Sequence, residues 1–290
     1  MSGHESGVWL TASASVLWGT VFVAADVGLR YTNPYILVFI RFLLASAVII
    51  VLIGLFDRKL GITVELTRAT TWLLGMVDAV GFLLQYTGQS LTSASDATLL
   101  ANLAPVLVPL VAWMLARESI SRMQAIAGVL GLSGLALIAS PSFSFHGTSA
   151  LGDLLLFGAS ASFAFFIVLS KRLGAVTTGS ALGIVVAITV FLAPAALFLG
   201  KLNPLTLSLG LPVWYSSLYM GVICTVIPMV LYLRGLRSIS SSESGTLLLL
   251  EVLSGLVLAV SMLGQFPNGY ELAAGAAIVS ALAMGVAFKR

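Results

Sequence analysis

Apolar residues arrive in long runs along this chain, and polar or charged residues arrive in short clusters between them. A helix that crosses a bilayer needs about 20 mostly apolar residues. Runs of that length predict helices at roughly 8–28, 34–56, 71–91, 94–116, 122–140, 151–171, 179–200, 212–233, 242–263 and 269–288. The gaps hold residues that stop helices and seek water: Tyr31-Thr-Asn-Pro34, Asp57-Arg-Lys59, Arg117-Glu118, Lys171-Arg172, Asn203-Pro204, Arg234 with Arg237, and Pro267-Asn268-Gly269. The pattern therefore predicts an all-α membrane protein with ten transmembrane helices. Trp9, Trp72, Trp113, Trp214 and Tyr31 fall near span ends and fit aromatic interface belts better than a site.

Composition agrees with the pattern. Hydrophobic residues make up 59% of the chain and charged residues 9%, with a mean hydropathy of +1.09. A soluble domain carries about 25% charge because its surface must face water, so most of this surface must face a lipid bilayer. The net charge of +3 implies no nucleic-acid partner, because the basic residues sit in short loops. They read as topology signals. With the N-terminus inside, the cytoplasmic segments hold Arg58, Lys59, Arg68, Arg117, Arg122, Lys171, Arg172, Arg234, Arg237, Lys289 and Arg290. The outer segments hold only Arg30 and Lys201. That bias predicts a multi-pass protein of a bacterial-type plasma (inner) membrane with both termini cytoplasmic. No cleavable signal peptide is expected, since no Lys or Arg precedes the first apolar run. Cys224 is the single cysteine, so no internal disulfide and no cysteine-built zinc site is expected. No metal or cofactor site is expected either.

The chain repeats itself with an offset near 145–148. The stretch from Gly7 through Trp18-Gly19 aligns with the stretch from Gly152 through Phe163-Ala164, and Thr98-Leu-Leu aligns with Thr246-Leu-Leu. Gly128 and Gly275 fall at matching places in the fifth and tenth spans. The expected units are residues 1–145 and 146–290, each with five spans. An odd number of spans places the two units in opposite orientation, as two inverted five-helix repeats around a central cavity. Inverted repeats with a midplane site between them are a hallmark of secondary transporters.

Several local patterns occur in a telling order. Leu17-Trp18-Gly19 stands in the first span, and Pro34 with Arg41 in the second. Leu103-Ala-Pro105-Val-Leu-Val-Pro109 leads to Arg117-Glu118 at the end of the fourth, followed by Gly128 and Gly131. Together these resemble the EamA-type, ten-helix members of the drug/metabolite transporter superfamily, over essentially the whole chain. The resemblance implies export of amino acids or other small metabolites, often aromatic or hydrophobic amino acids or drugs. The second half departs from the pattern: Leu253-Ser254-Gly255 stands where a counterpart of Pro105 would be, and Arg117-Glu118 has no counterpart.

Ionisable residues inside spans are costly and point to a cavity or to one another. Asp26 and Arg41 lie at comparable depth in antiparallel spans and read first as a structural ion pair, with a substrate carboxylate on Arg41 as the alternative. Asp78, Phe82, Gln85 and Gln89 share one face of the third span. Thr98, Asn102, Pro105 and Pro109 repeat that rhythm in the fourth. Pro105 removes the amide that would bind the Ala101 carbonyl, which would leave an acceptor beside Asn102 for an ammonium group; a plain kink is the other reading. Glu251 lies midway along the ninth span with no evident basic partner, and is either silent or a proton or cation carrier. Thr11, Ser15, Trp18, Phe22 and Asp26 share a face, and Trp18 and Phe163 are related by the repeat. Both could wall a cavity for an apolar or aromatic group, or simply pack. The expected substrate-binding set is Trp18, Phe22, Asp78, Phe82, Gln85, Thr98, Asn102, Phe163 and Glu251. Pro105, Pro109 and Gly255, with Pro194 and Pro228, are expected hinges. Small residues at Ala127 and Gly131, and at Ala277, Ala281 and Gly285, allow close helix packing. Packing within the bundle is preferred there over a homodimer contact, so a monomer is favoured.

The function expected is a secondary transporter that exports small amphipathic metabolites, amino acids first, by alternating access. A multidrug or organic-cation exporter is the alternative. A carrier of phosphorylated substrates would need several midplane cations, and only Arg41 is intramembrane. An intramembrane enzyme has little support, since the chain has no HExxH, no membrane histidine and no P-loop. A purely structural role has no supporting feature, since every loop is short.

Overall fold

The computed structural model describes residues 3–89, 91, 100, 102–119, 122–139, 149–202 and 210–263, with scattered residues between 269 and 284. Among them, all regular structure is helical. In chain order the elements are α1 (Gly3–Gly19), α2 (Val21–Leu29), α3 (Pro34–Leu60), α4 (Ile62–Leu66), α5 (Ala69–Gln89) and α6 (Ala104–Val111). A π-helical turn over Ala112–Ala116 extends α6. Then come α7 (Arg122–Ala139), α8 (Ser149–Arg172), α9 (Thr178–Phe198) and α10 (Leu211–Gly221). A second π turn, Val222–Val226, leads into α11 (Ile227–Leu236), followed by α12 (Ser241–Leu247) and α13 (Leu249–Leu263). Among the described residues, four stretches are long and apolar enough to cross a bilayer unbroken: Pro34–Leu60, Ala150–Arg172, Thr178–Phe198 and Leu211–Leu236.

Local chemistry explains where these helices begin and end. The Asn33 side chain accepts from the Ile36 amide at 3.0 Å, and Pro34 occupies the first turn of α3, where a missing N–H costs nothing. Gly61 ends α3 with φ of +66°, the left-handed conformation that glycine takes without strain. A reciprocal capping box between Thr177 and Ser180 opens α9. Basic residues close α3 (Arg58, Lys59), α8 (Lys171, Arg172) and α11 (Arg234), complementing the negative helix end.

Three expected spans are broken. The first, 8–28, is two helices joined at Thr20, whose hydroxyl donates to the Leu17 carbonyl at 2.8 Å. A β-carbon on Gly19 would collide with Ser254 Oγ and the Glu251 carbonyl, so α13 lies directly against the break. The ninth span is interrupted at Leu248, between α12 and α13. In the fourth, α6 starts at Ala104, so Pro105 stands in its first turn and Asn102–Leu103 are non-helical.

Helix α9 is apolar on nearly all sides and is accordingly buried, packing against α3, α4 and α5. Its polar Thr189 is satisfied by Ser46 Oγ at 2.7 Å and by donation to the Phe42 carbonyl at 2.9 Å. Among the described residues, α5 packs extensively on α8 and α1 on α11. Glycines allow both approaches. A β-carbon on Gly235 of α11 would stand 2.8 Å from the Gly7 carbonyl of α1, and one on Gly88 of α5 would stand 2.9 Å from the Gly152 carbonyl of α8. The outer surface is apolar, with Trp9, Leu55, Phe198 and Tyr215 all exposed. Such a surface suits hydrocarbon and would aggregate in water.

Candidate functional site: a central cavity with charges of both signs

The broken helices and the second π turn surround a cavity of about 340 Å³. Trp18, Asp78, Phe82, Gln85, Asn102, Phe163 and Glu251 all line it, as do Arg41 and Pro105. Of the other residues expected at a site, Thr98 and the side chains of Phe22, Asp26 and Gln89 lie outside the described residues. Pro109 lies buried inside α6 and Gly255 within α13, and neither lines the cavity. Gly275, Ala281, Gly285 and the side chain of Ala127 also lie outside the described residues.

Arg41 organises one wall. It is 5% exposed, so its charge must be held by partners inside the protein. Its Nε donates to Thr225 Oγ1 at 2.8 Å and its Nη2 to the Cys224 carbonyl at 2.9 Å. Both acceptors exist because of local backbone chemistry. Pro228 stands four residues after Cys224, and its missing N–H leaves the Cys224 carbonyl without the usual helical donor. The π turn lets the Thr225 hydroxyl donate to the Met220 carbonyl at 2.8 Å while accepting from Arg41. The guanidinium carbon also stands 5.3 Å from the Phe42 ring centroid and 5.6 Å from that of Phe82, within cation–π range. No carboxylate among the described residues is within ion-pair distance of Arg41. Asp78 from α5 and Glu251 from α13 share the cavity with it instead.

Aromatic side chains form the rest of the wall. Phe42, Phe82 and Phe163 make a chain of edge-on contacts with centroids 4.9 and 5.3 Å apart. Trp18 packs on Tyr232 at 5.0 Å. Tyr232 is fully buried, and its hydroxyl donates to Ser244 Oγ at 3.1 Å. The lining runs from this pair to Leu29, which is exposed at the end of α2.

Several contacts join helix ends at the basic end of the molecule. Arg117 adopts φ of +53° after the first π turn, and Glu118 follows it. The Glu118 carboxylate accepts from the Ser241 amide at 3.0 Å and the Ser241 hydroxyl at 2.9 Å, and Lys171 Nζ lies 3.6 Å away. Lys171 also donates to the Ile239 carbonyl at 2.6 Å. His4 meets the fully buried Glu243 at 2.8 Å. These contacts tie the ends of the fourth and sixth expected spans and the start of the first to α12 and the loop before it.

The family model of the EamA-like transporters matches this chain twice, over residues 5–140 and 150–286. The chain belongs to the EamA-like transporter family. A protein of Archaeoglobus fulgidus named as an uncharacterized transporter is 27% identical over 282 residues, covering 92% of both chains. A Bacillus subtilis protein named as the uncharacterized transporter YwfM is 26% identical over 264 residues, covering 87% of this chain and 84% of its own. A solved crystal structure superposes with a TM-score of 0.84 at 20% identity over 98% of this chain and 97% of its own, which shows a shared fold. The protein is therefore a membrane transporter of the EamA type, with two EamA domains.

Sequence reasoning missed several parts of this transporter's cavity. Tyr232 and Thr225 went unremarked because each reads as an ordinary residue of an apolar run. Pro228 was the available signal: a proline inside a span marks the carbonyl four residues earlier as free. The partner that takes that carbonyl, Arg41, is 183 positions away in sequence. Glu251 has no Lys or Arg at its depth in the neighbouring spans of the second half; Arg41 reaches the same cavity from α3.

Proposed function

We propose that this transporter exports small zwitterionic metabolites, amino acids with apolar or aromatic side chains first, through the central cavity by alternating access. The observation that carries this reading is the lining itself. Arg41, held rigidly by Thr225 and Cys224, offers a fixed cation for a carboxylate. Asp78, Glu251 and Asn102 offer acceptors for an ammonium group, and Trp18, Phe82 and Phe163 offer an apolar bed. The volume falls within the usual range for small-molecule sites, about 300–1,000 Å³.

In the same reading the chain has ten spans as two inverted repeats, with the basic end in the cytoplasm. The glycine contacts support the repeat. Gly7 and Gly152 are related by the sequence offset, and so are Gly88 and Gly235, and each pair member meets a member of the other pair. An exchange of halves thus maps one interface onto the other. The basic ends of α3, α8 and α11 support the orientation. With the helix-end contacts there read as closure, this is an outward-facing state, and the Glu118–Ser241–Lys171 contacts are its cytoplasmic seal.

An organic-cation substrate is the second reading, favoured by two carboxylates standing against one guanidinium. Proteoliposomes loaded with unlabelled substrate and supplied with labelled amino acids or organic cations test both. Saturable counterflow of an amino acid supports the first; counterflow of cations alone replaces it with the second. A monodisperse, folded protein that shows counterflow of neither class sinks the proposal.

A further inference from the structure

A second cavity, of about 540 Å³, opens at the basic end and shares no lining residue with the first. Three cations from two segments line it: Lys59 at the end of α3, and Arg234 and Arg237 at the end of α11. Thr177, Thr178 and Gly179, at the start of α9, complete its polar wall. No acidic residue among the described residues lines it.

What sets these cations apart from others at the same end is that the three line one cavity together. Arg68 has Glu65 at 3.0 Å and Lys171 has Glu118 at 3.6 Å. Lys59, Arg234 and Arg237, like Arg58, Arg117 and Arg172, have no carboxylate partner among the described residues. Membrane topology asks only that basic residues lie in these loops. It does not ask that three of them line one concavity, where they repel one another without a counter-ion. The helix start adds to the field. The Thr177 side chain caps the Ser180 amide at 3.0 Å, which leaves the amides of Thr178 and Gly179 as the first-turn donors of α9. Two guanidinium forks, an ammonium group and the positive end of a helix make a donor set suited to tetrahedral oxyanions.

We propose that this pocket binds a phosphate group, carried by an anionic phospholipid of the inner leaflet or free in the cytoplasm. Its lining joins both repeats: Lys59 belongs to the first, and Thr177 and the two arginines to the second. A bound phosphate would hold the two halves together at the sealed end and favour the outward-facing state. Binding is read without transport, so the outcome is separable from that of the proposed substrate.

The full-length protein in detergent is incubated with phosphatidylglycerol or phosphatidylcholine, and retained lipid is counted by native mass spectrometry. In parallel its unfolding temperature is followed with inorganic phosphate. The wild type should retain phosphatidylglycerol in preference to phosphatidylcholine. The double variant Arg234→Gln with Arg237→Gln should lose about tenfold or more of that retention, whereas Arg172→Gln, an exposed cation outside the pocket, should change it less than about twofold. Stabilisation by inorganic phosphate that the double variant lacks assigns a free phosphate; lipid retention without that response assigns the headgroup. Both outcomes support the site. Equal retention of the two lipids with no phosphate response overturns it, and so does an equal loss in Arg172→Gln, which would mean a general surface charge. Should the double variant misfold, Lys59→Gln is read against the same control.

Discussion

In the central cavity one guanidinium shares its space with two carboxylates, whereas in the basic-end pocket three cations share theirs with none. The difference follows from where each site stands in the membrane. A charge inside the spans loses its water and must be held by hydrogen bonds or opposite charges, or it will not stay charged. Arg41 is accordingly held by Thr225, Cys224 and two aromatic faces, and Asp78 and Glu251 accompany it. The side chains of Lys59, Arg234 and Arg237 are exposed at the helix ends. Water serves them until an anion replaces it. The first site is built to hold its charges in place, and the second to leave its charges available.

Removing the central cation should break the comparison most sharply. Arg41→Gln is expected to reduce counterflow of the proposed amino-acid substrate about 100-fold, equivalent to about 3 kcal/mol for a lost charge-assisted contact. Retention of phosphatidylglycerol should be unchanged in that variant. Arg41→Lys should restore only part of the loss, because an ammonium group cannot span Thr225 and the Cys224 carbonyl as the fork does. Equal effects on both sites would mean that Arg41 supports the fold rather than the cavity.

Salt should separate the two sites next. The screening length falls from about 10 Å at 0.1 M to about 3 Å at 1 M. Phosphate binding at the exposed pocket should weaken about tenfold over that range, while substrate affinity at the buried cavity should move less than about threefold. Titration of each ligand at both salt concentrations checks this; parallel loss would erase the distinction.

The smallest effect concerns the seal at the basic end. Glu118→Gln removes the charge that faces Lys171 and weakens the bonds to Ser241, a change of about 1–2 kcal/mol. That should shift the balance toward an inward-facing state. Cys224 is the single cysteine and lines the central cavity, so it reports access without any introduced label site. Labelling by a thiol reagent from the cytoplasmic side should rise about fivefold to thirtyfold in Glu118→Gln, in line with that energy. Unchanged labelling would show that the seal does not depend on this contact.

Structure is legible in the sequence where the physics is local. The start of α3 was legible in Asn33-Pro34, and the end of α8 in Lys171-Arg172, because caps and helix ends are governed by a few neighbouring residues. Asp78, Phe82 and Gln85 could be placed on one face because a helix has a known period. The break at Thr20 was not legible, because it depends on α13 lying against Gly19. Nor was the start of α6 at Ala104, which turns Pro105 from an interior kink into a first-turn residue.

By itself, the sequence determined that this protein lives in a bilayer and that its two halves are variants of one design. Those properties are sums over many residues, and no single contact can overturn them. Only the tertiary structure decided which charges meet. Arg41 of the first half takes an acceptor freed by Pro228 in the second, and Lys59 comes to line a pocket with Arg234 and Arg237. Such meetings depend on how helices far apart in sequence pack, and packing is set by the shapes of whole helix faces and by glycines such as Gly7 and Gly235.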